Sequence, residues 1–149
     1  MDKDLQVAKS IEIDATPAQV WEALTNPKMI KVYLFGTQTT TDWHVGSPIL
    51  FEGEYNGQTY RDKGVVLKSI PNNILQYSYW SAFSGLEDKP ENYSEVTYKI
   101  DSISVSQVRF TWKQVGFASK ENCEHSERGL GAMLEQIKNL VETKDDQTK

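Results

Sequence analysis

The chain of 149 residues contains one cysteine, Cys123, which excludes an internal disulfide and any zinc site built from paired cysteines. A lone thiol fits a reducing compartment, so a cytoplasmic address is expected. Long apolar runs are missing too: nothing approaches the ~18 residues of a membrane span, and the opening Met1-Asp2-Lys3-Asp4 is too polar for a signal peptide. No integral membrane segment is expected. Basic residues are in deficit, with 16 Lys and Arg against 21 Asp and Glu, a formal net charge of −5. Such a chain repels duplex nucleic acid at long range, which removes nucleic acid from the expected partners. Histidine is scarce as well. His44 and His125 lie far apart without further residues at metal-ligand spacing, and both read as surface residues. There is no nucleophile elbow, phosphate-cradling glycine loop, HExxH or Walker motif. No catalytic residue, metal or cofactor is therefore expected.

The chain is rich in aromatic residues: four Trp, seven Tyr and five Phe, distributed along its whole length, which argues for one continuous core. A chain of this size buries about two-thirds of its unfolded surface without disulfide or metal support. Residues 1–149 read as a single domain, with a charged stretch from Glu142 to Lys149 that has nothing to bury and is expected to fray.

Periodicity predicts a first strand over 5–14, with Val7, Ile11 and Ile13 on one face and Lys9 interrupting the pattern. Thr16 caps, and Pro17 opens, a short helix through Leu24 whose apolar stripe includes Val20, Trp21 and Leu24. Trp21 reads as core. Asn26-Pro27 ends that helix and starts a second over 28–34. From Thr37 to Trp112 the sequence alternates and turns repeatedly. Strands are predicted over 49–55, 58–69, 74–80, 93–101 and 108–112, with Asn56-Gly57 the strongest hairpin signal. The turn around Val105 to Gln107 lacks the Gly or Asn such a turn favours, which leaves the register of the last strand open. A closing segment, 120–141, places Cys123, Leu130, Met133, Ile137 and Leu140 along one helical stripe.

Two short helices after strand one, a run of antiparallel hairpins and one long helix make an α+β layer, a curved antiparallel sheet wrapped around a C-terminal helix. A cavity can form on the concave side. The candidate lining residues are Phe35, Phe51, Tyr77, Tyr79, Tyr98, Phe110 and Trp112 from the sheet side, and Leu130, Met133 and Leu134 from the helix. Spacing alone does not decide whether these rings line a pocket or fill the space beneath the helix. Phenols and an indole tilt the choice toward a pocket, because a buried O–H or N–H needs a partner. Glycines inside strand patterns, Gly53 and Gly64, mark curvature or a close backbone approach. Gly129 and Gly131 inside the helix each cost about 1 kcal/mol relative to Ala and call for a packing or cavity reason. The run Arg61-Asp62-Lys63 reads as a solvated hairpin, with a buried ion pair at a pocket mouth as the alternative. The acidic stretch over 87–91 reads as a surface loop that can cover the opening.

Several segments together resemble the START-like SRPBCC superfamily, and within it bacterial proteins similar to the activator of heat-shock-chaperone ATPase. They are Ile11 to Trp21 with Leu24, Asp42 to Gly46 followed by Phe51 to Gly53, Lys63 to Val66, Pro90 to Tyr93 with Val96 to Tyr98, and Gly129-Leu130 through Leu134 to Ile137. The resemblance implies a helix-grip fold, with a cavity that in the wider superfamily holds lipids, sterols, hormones or polyketides. Leu130 stands where the family commonly has Trp, which implies extra room on the cavity side. No shared catalytic residue comes with the resemblance. The expected function is binding of a small apolar molecule or lipid. The alternatives are a stress-response module docking a chaperone, and, more weakly, a cyclase or dehydratase using a tyrosine, Asp62 or Glu52 as acid or base.

Overall fold

The first helix starts where its cap chemistry dictates. Thr16 accepts a hydrogen bond from the Gln19 amide while the Gln19 side chain accepts one from the Thr16 amide, a reciprocal capping box. The computed structural model describes residues 1–147. In chain order these form β1 (Asp2–Ile13), α1 (Pro17–Thr25), α2 (Pro27–Tyr33), β2 (Gln38–Thr40), β3 (Pro48–Tyr55), β4 (Gln58–Ile70), β5 (Ile74–Tyr79), β6 (Ser94–Ser104), β7 (Gln107–Phe117) and α3 (Lys120–Gln147). A single 3-10 turn, Pro90–Asn92, sits in the loop before β6.

The strands join in one antiparallel sheet in the order β1-β7-β6-β5-β4-β3-β2. The first strand therefore pairs with the last. Register follows the buried pattern: Ile11 faces Phe110, Trp112 faces Tyr98, Tyr77 faces Val96 and Phe51 faces Asp62. Residues opposite one another point to the same face, so these positions define the concave side. With α3 laid across that side, the architecture is the helix-grip arrangement expected from the sequence.

Turn chemistry explains the hairpins. Asn56 and Gly57 both have positive φ, 51° and 80°, the paired left-handed conformation that a two-residue hairpin needs. Val105 and Ser106 connect β6 and β7 without any positive φ, and the ladder shifts register between Ser102 and Ser104. A bulge in the strand thus absorbs the twist that the turn does not supply. Beyond it the pairing is regular, and β7 runs on past Trp112 to Phe117.

The helix seam is Cys123, Leu130, Leu134, Ile137 and Val141, all buried, whereas Met133 and Leu140 are only partly buried beside it. Trp21 is likewise partly buried and packs against the core rather than within it. The helix continues past Val141, where the apolar stripe ends. Glu142, the first residue of the stretch expected to fray, accepts from the Asp14 amide at 2.9 Å and pairs with Lys138 at 2.6 Å. Residues 148–149 of that stretch lie outside the described residues.

Glycine does two different jobs here. A methyl group on Gly64 would overlap the carbonyl oxygen of Ser78, so β4 and β5 approach at a distance only glycine permits. Gly129 and Gly131 are not explained by close packing: a Cβ at Gly129 meets nothing within 4 Å, and one at Gly131 meets only the Lys9 ammonium at 3.9 Å.

Candidate functional site

The concave face carries mostly aromatic and aliphatic side chains with a few polar ones, among them Asp62 and Ser94, and it is not completely filled. A cavity of about 940 Å³ lies between strands β3 to β7, the Leu34-Phe35 segment after α2, and the N-terminal half of α3. Its position follows from how α3 crosses the sheet. Leu130, Leu134, Ile137 and Val141 are buried in the core against β1, α1 and α2, whereas Asn122, His125, Ser126 and Met133 line the cavity from another face of the helix.

Of the ten residues expected to line the pocket, Phe35, Phe51, Tyr77, Tyr79, Trp112 and Met133 do so. The other four do not. Phe110, Leu130 and Leu134 are packed into the core, and Tyr98 lies beneath Trp112 and Tyr77, with ring centroids 4.5 and 5.5 Å away. Leu130 therefore does not enlarge the cavity: it seals the helix onto the sheet. The alternation identifies the concave face, but it cannot distinguish the part of that face under the helix from the part left open.

Asp62 is the buried charge of this wall, with only 6% of its surface exposed. Its two carboxylate oxygens accept from the Tyr79 hydroxyl at 2.6 Å and from the Ala82 amide at 2.8 Å. Burial raises its pKa above the ordinary carboxyl value, and these two hydrogen bonds pull partly the other way. The flanking residues of the Arg61-Asp62-Lys63 run point to the opposite face. Arg61 is held by Glu52 at 3.1 Å and Lys63 by Asp88 at 2.7 Å. The run is thus neither a wholly solvated hairpin nor an internal ion pair, and Glu52, weighed with Asp62 as an acid or base, stands outside the cavity.

The phenols on this side are held protonated by burial, which pushes Tyr77, Tyr79 and Tyr98 above the ordinary tyrosine range. The Tyr77 and Tyr98 hydroxyls share one hydrogen bond of 2.6 Å. Two hydroxyls in one bond leave one O–H proton of the pair without a protein acceptor among the described residues. At the rim, Thr37 donates to the Leu34 carbonyl at 2.8 Å and so receives the Tyr60 hydroxyl at 2.6 Å. This contact fastens the α2–β2 connection to β4.

Exposed aromatics flank the entrance. Phe35 is 74% exposed and holds a left-handed backbone with φ 53°, and Phe83, in the loop after β5, meets Tyr60 at a tilt and Tyr55 edge-on, with centroids 5.5 and 6.2 Å apart. The acidic part of that loop is anchored, because Asp88 bonds both Lys63 and the Tyr93 hydroxyl. Its Ser81 to Ser84 portion, not the acidic run, borders the cavity. His125 also reaches the wall from exposed helix surface, whereas His44 pairs with Asp42 on the exterior. No group of His, Cys, Asp and Glu suited to a metal ion occurs among the described residues. No helix among them is long and apolar enough to cross a membrane.

The family described as Activator of Hsp90 ATPase homolog 1-like protein matches residues 14–142. A solution structure of a protein from Cytophaga hutchinsonii is 38% identical, with 98% of this chain and 99% of that one covered at a TM-score of 0.80. An HSP90 activator from Plasmodium falciparum shares the fold at 14% identity, 92% and 96% coverage and a TM-score of 0.73. DynU16, from the dynemicin biosynthetic locus, does so at 14% identity and a TM-score of 0.75, over 94% of this chain and 48% of that one. Nothing among the curated proteins matches.

Proposed function

The chain belongs to the Activator of Hsp90 ATPase homolog 1-like family, and from that footing we propose that it holds one small apolar or aromatic molecule between the concave sheet and the N-terminal half of α3. The supporting observation is the cavity itself. It opens to solvent at the rim, and its volume of about 940 Å³ lies in the range of ligand clefts, about 300–1,000 Å³. Rings from Phe51, Tyr77, Tyr79 and Trp112 offer an apolar wall, and Asp62 with the Tyr77–Tyr98 pair offers polar points that orient a guest. This reading treats residues 1–149 as one START-like domain at a cytoplasmic address.

The test is the native mass of the purified protein against its denatured mass, followed by melting with fatty acids, sterols and aromatic metabolites. A native excess lost on denaturation supports the reading. At roughly one hundred times its dissociation constant a ligand stabilises the fold by about 2.7 kcal/mol, a shift of several degrees. No excess and no shift count against it.

A second reading, docking to a chaperone in stress response, is favoured by the family description and by the Plasmodium falciparum neighbour, itself an HSP90 activator. It needs no cavity. Stimulation of a purified Hsp90-class ATPase by the ligand-free protein would support it, and an unchanged rate at saturating protein would count against it.

A further inference from the structure

We infer, resting on the ligand-holding reading above, that the cavity selects by charge. It takes apolar molecules that present an amine or another hydrogen-bond donor to Asp62, and it rejects molecules that present a carboxylate. The residues that line it include Glu54 and Asp62 but neither Lys nor Arg, and its only imidazole among the described residues is His125.

Of the nearby cationic side chains, Arg61, Lys63 and Lys9 are directed elsewhere, and the one fixed positive charge among the described lining residues is the terminal ammonium of Met1. Strand alternation sends Arg61 and Lys63 to the outer face, where Glu52 and Asp88 hold them. Lys9 is on the concave face opposite Trp112, but its ammonium ends beside Gly131 of α3 and does not belong to the wall. Asp62 is therefore left with neutral partners. Both of its oxygens act as acceptors, one for a phenol and one for a backbone amide, an arrangement that suits the ionised carboxyl. Two of its roughly four acceptor positions remain for a guest. Away from bulk water a charge at this wall acts strongly on another inside the same cavity, attracting an ammonium and repelling a carboxylate.

The experiment compares three probes on one naphthalene skeleton, naphthylmethylamine, naphthylmethanol and naphthoic acid, titrated calorimetrically into the full chain at neutral pH. The amine is expected to bind at least about tenfold tighter than the acid, with the alcohol between them. It should also displace the alcohol, which places both in one site. In Asp62→Asn the preference should shrink to about threefold or less, and in His125→Ala it should persist. Asp62→Ser carries the same expectation should Asp62→Asn fail to fold. Binding of the alcohol with equal or tighter binding of the acid would overturn charge selection and leave the ligand-holding reading standing. A full amine preference in the folded Asp62 variant would overturn the assignment to Asp62. If none of the three probes binds, charge selection falls, while the ligand-holding reading stands or falls by the native-mass and melting tests.

Discussion

The Tyr79 hydroxyl donates to the Asp62 carboxylate at 2.6 Å, joining β5 to β4 across the cavity wall. Burial raises the Asp62 pKa, so the folded protein binds that proton more tightly than the unfolded chain does. The contribution of this group to stability is then greatest below the unfolded value near pH 4 and is lost as pH rises through the folded pKa. Asp62→Asn should remove this component. Melting temperatures of both proteins from about pH 4 to pH 8 should converge or cross toward neutral pH; parallel curves would show that Asp62 does not carry the slope.

Tyr79→Phe deletes one of the two donors that offset the burial of Asp62. A loss of about 1.5–3 kcal/mol is expected in denaturant unfolding at neutral pH, typical of a hydrogen bond to a charged group. The loss should be smaller in an Asp62→Asn background, where no charge is left underserved.

Two glycines should respond in opposite directions to the same change. Gly64→Ala drives a methyl group into the Ser78 carbonyl and should cost about 2 kcal/mol or more. Gly129→Ala meets no neighbour and removes a helix-interior glycine, so it should stabilise by about 0.5–1 kcal/mol. Urea midpoints of the two variants on either side of wild type would confirm the distinction.

Phe110 and Phe35 separate core from cavity rim. Phe110 is fully buried, and Phe110→Ala should cost about 3–5 kcal/mol. Phe35 is largely exposed in a strained conformation, and Phe35→Ala should change stability by no more than about 0.5 kcal/mol while weakening whatever the cavity binds. Thermal melts together with probe titration read both effects.

Period-two alternation and cap chemistry make most of the architecture legible in the amino-acid sequence. Thr16-Pro17 places α1, Asn26-Pro27 separates it from α2, and Asn56-Gly57 sets the β3–β4 turn, because each depends on residues within a few positions of one another. The concave face of β5 to β7 can be read from Tyr77, Tyr98 and Phe110 for the same reason. The three-residue strand β2 is too short for any pattern, and the exit of β7 toward Phe117 depends on its pairing with β1.

Side-chain direction along a strand or helix follows from local backbone geometry, so the order of residues alone dictates which of them turn inward. Which inward residues meet a ligand and which meet each other was decided by the crossing of α3. One face of the helix seals Leu130, Leu134 and Ile137 into the core, while Asn122, Ser126 and Met133 on another face join Tyr77 and Trp112 around open volume. The burial of Asp62 is also a tertiary outcome. A carboxyl group between Arg61 and Lys63 looks solvated in one dimension, but pairing with β3 and β5 directs the two cations to one face of the sheet and the carboxylate to the other.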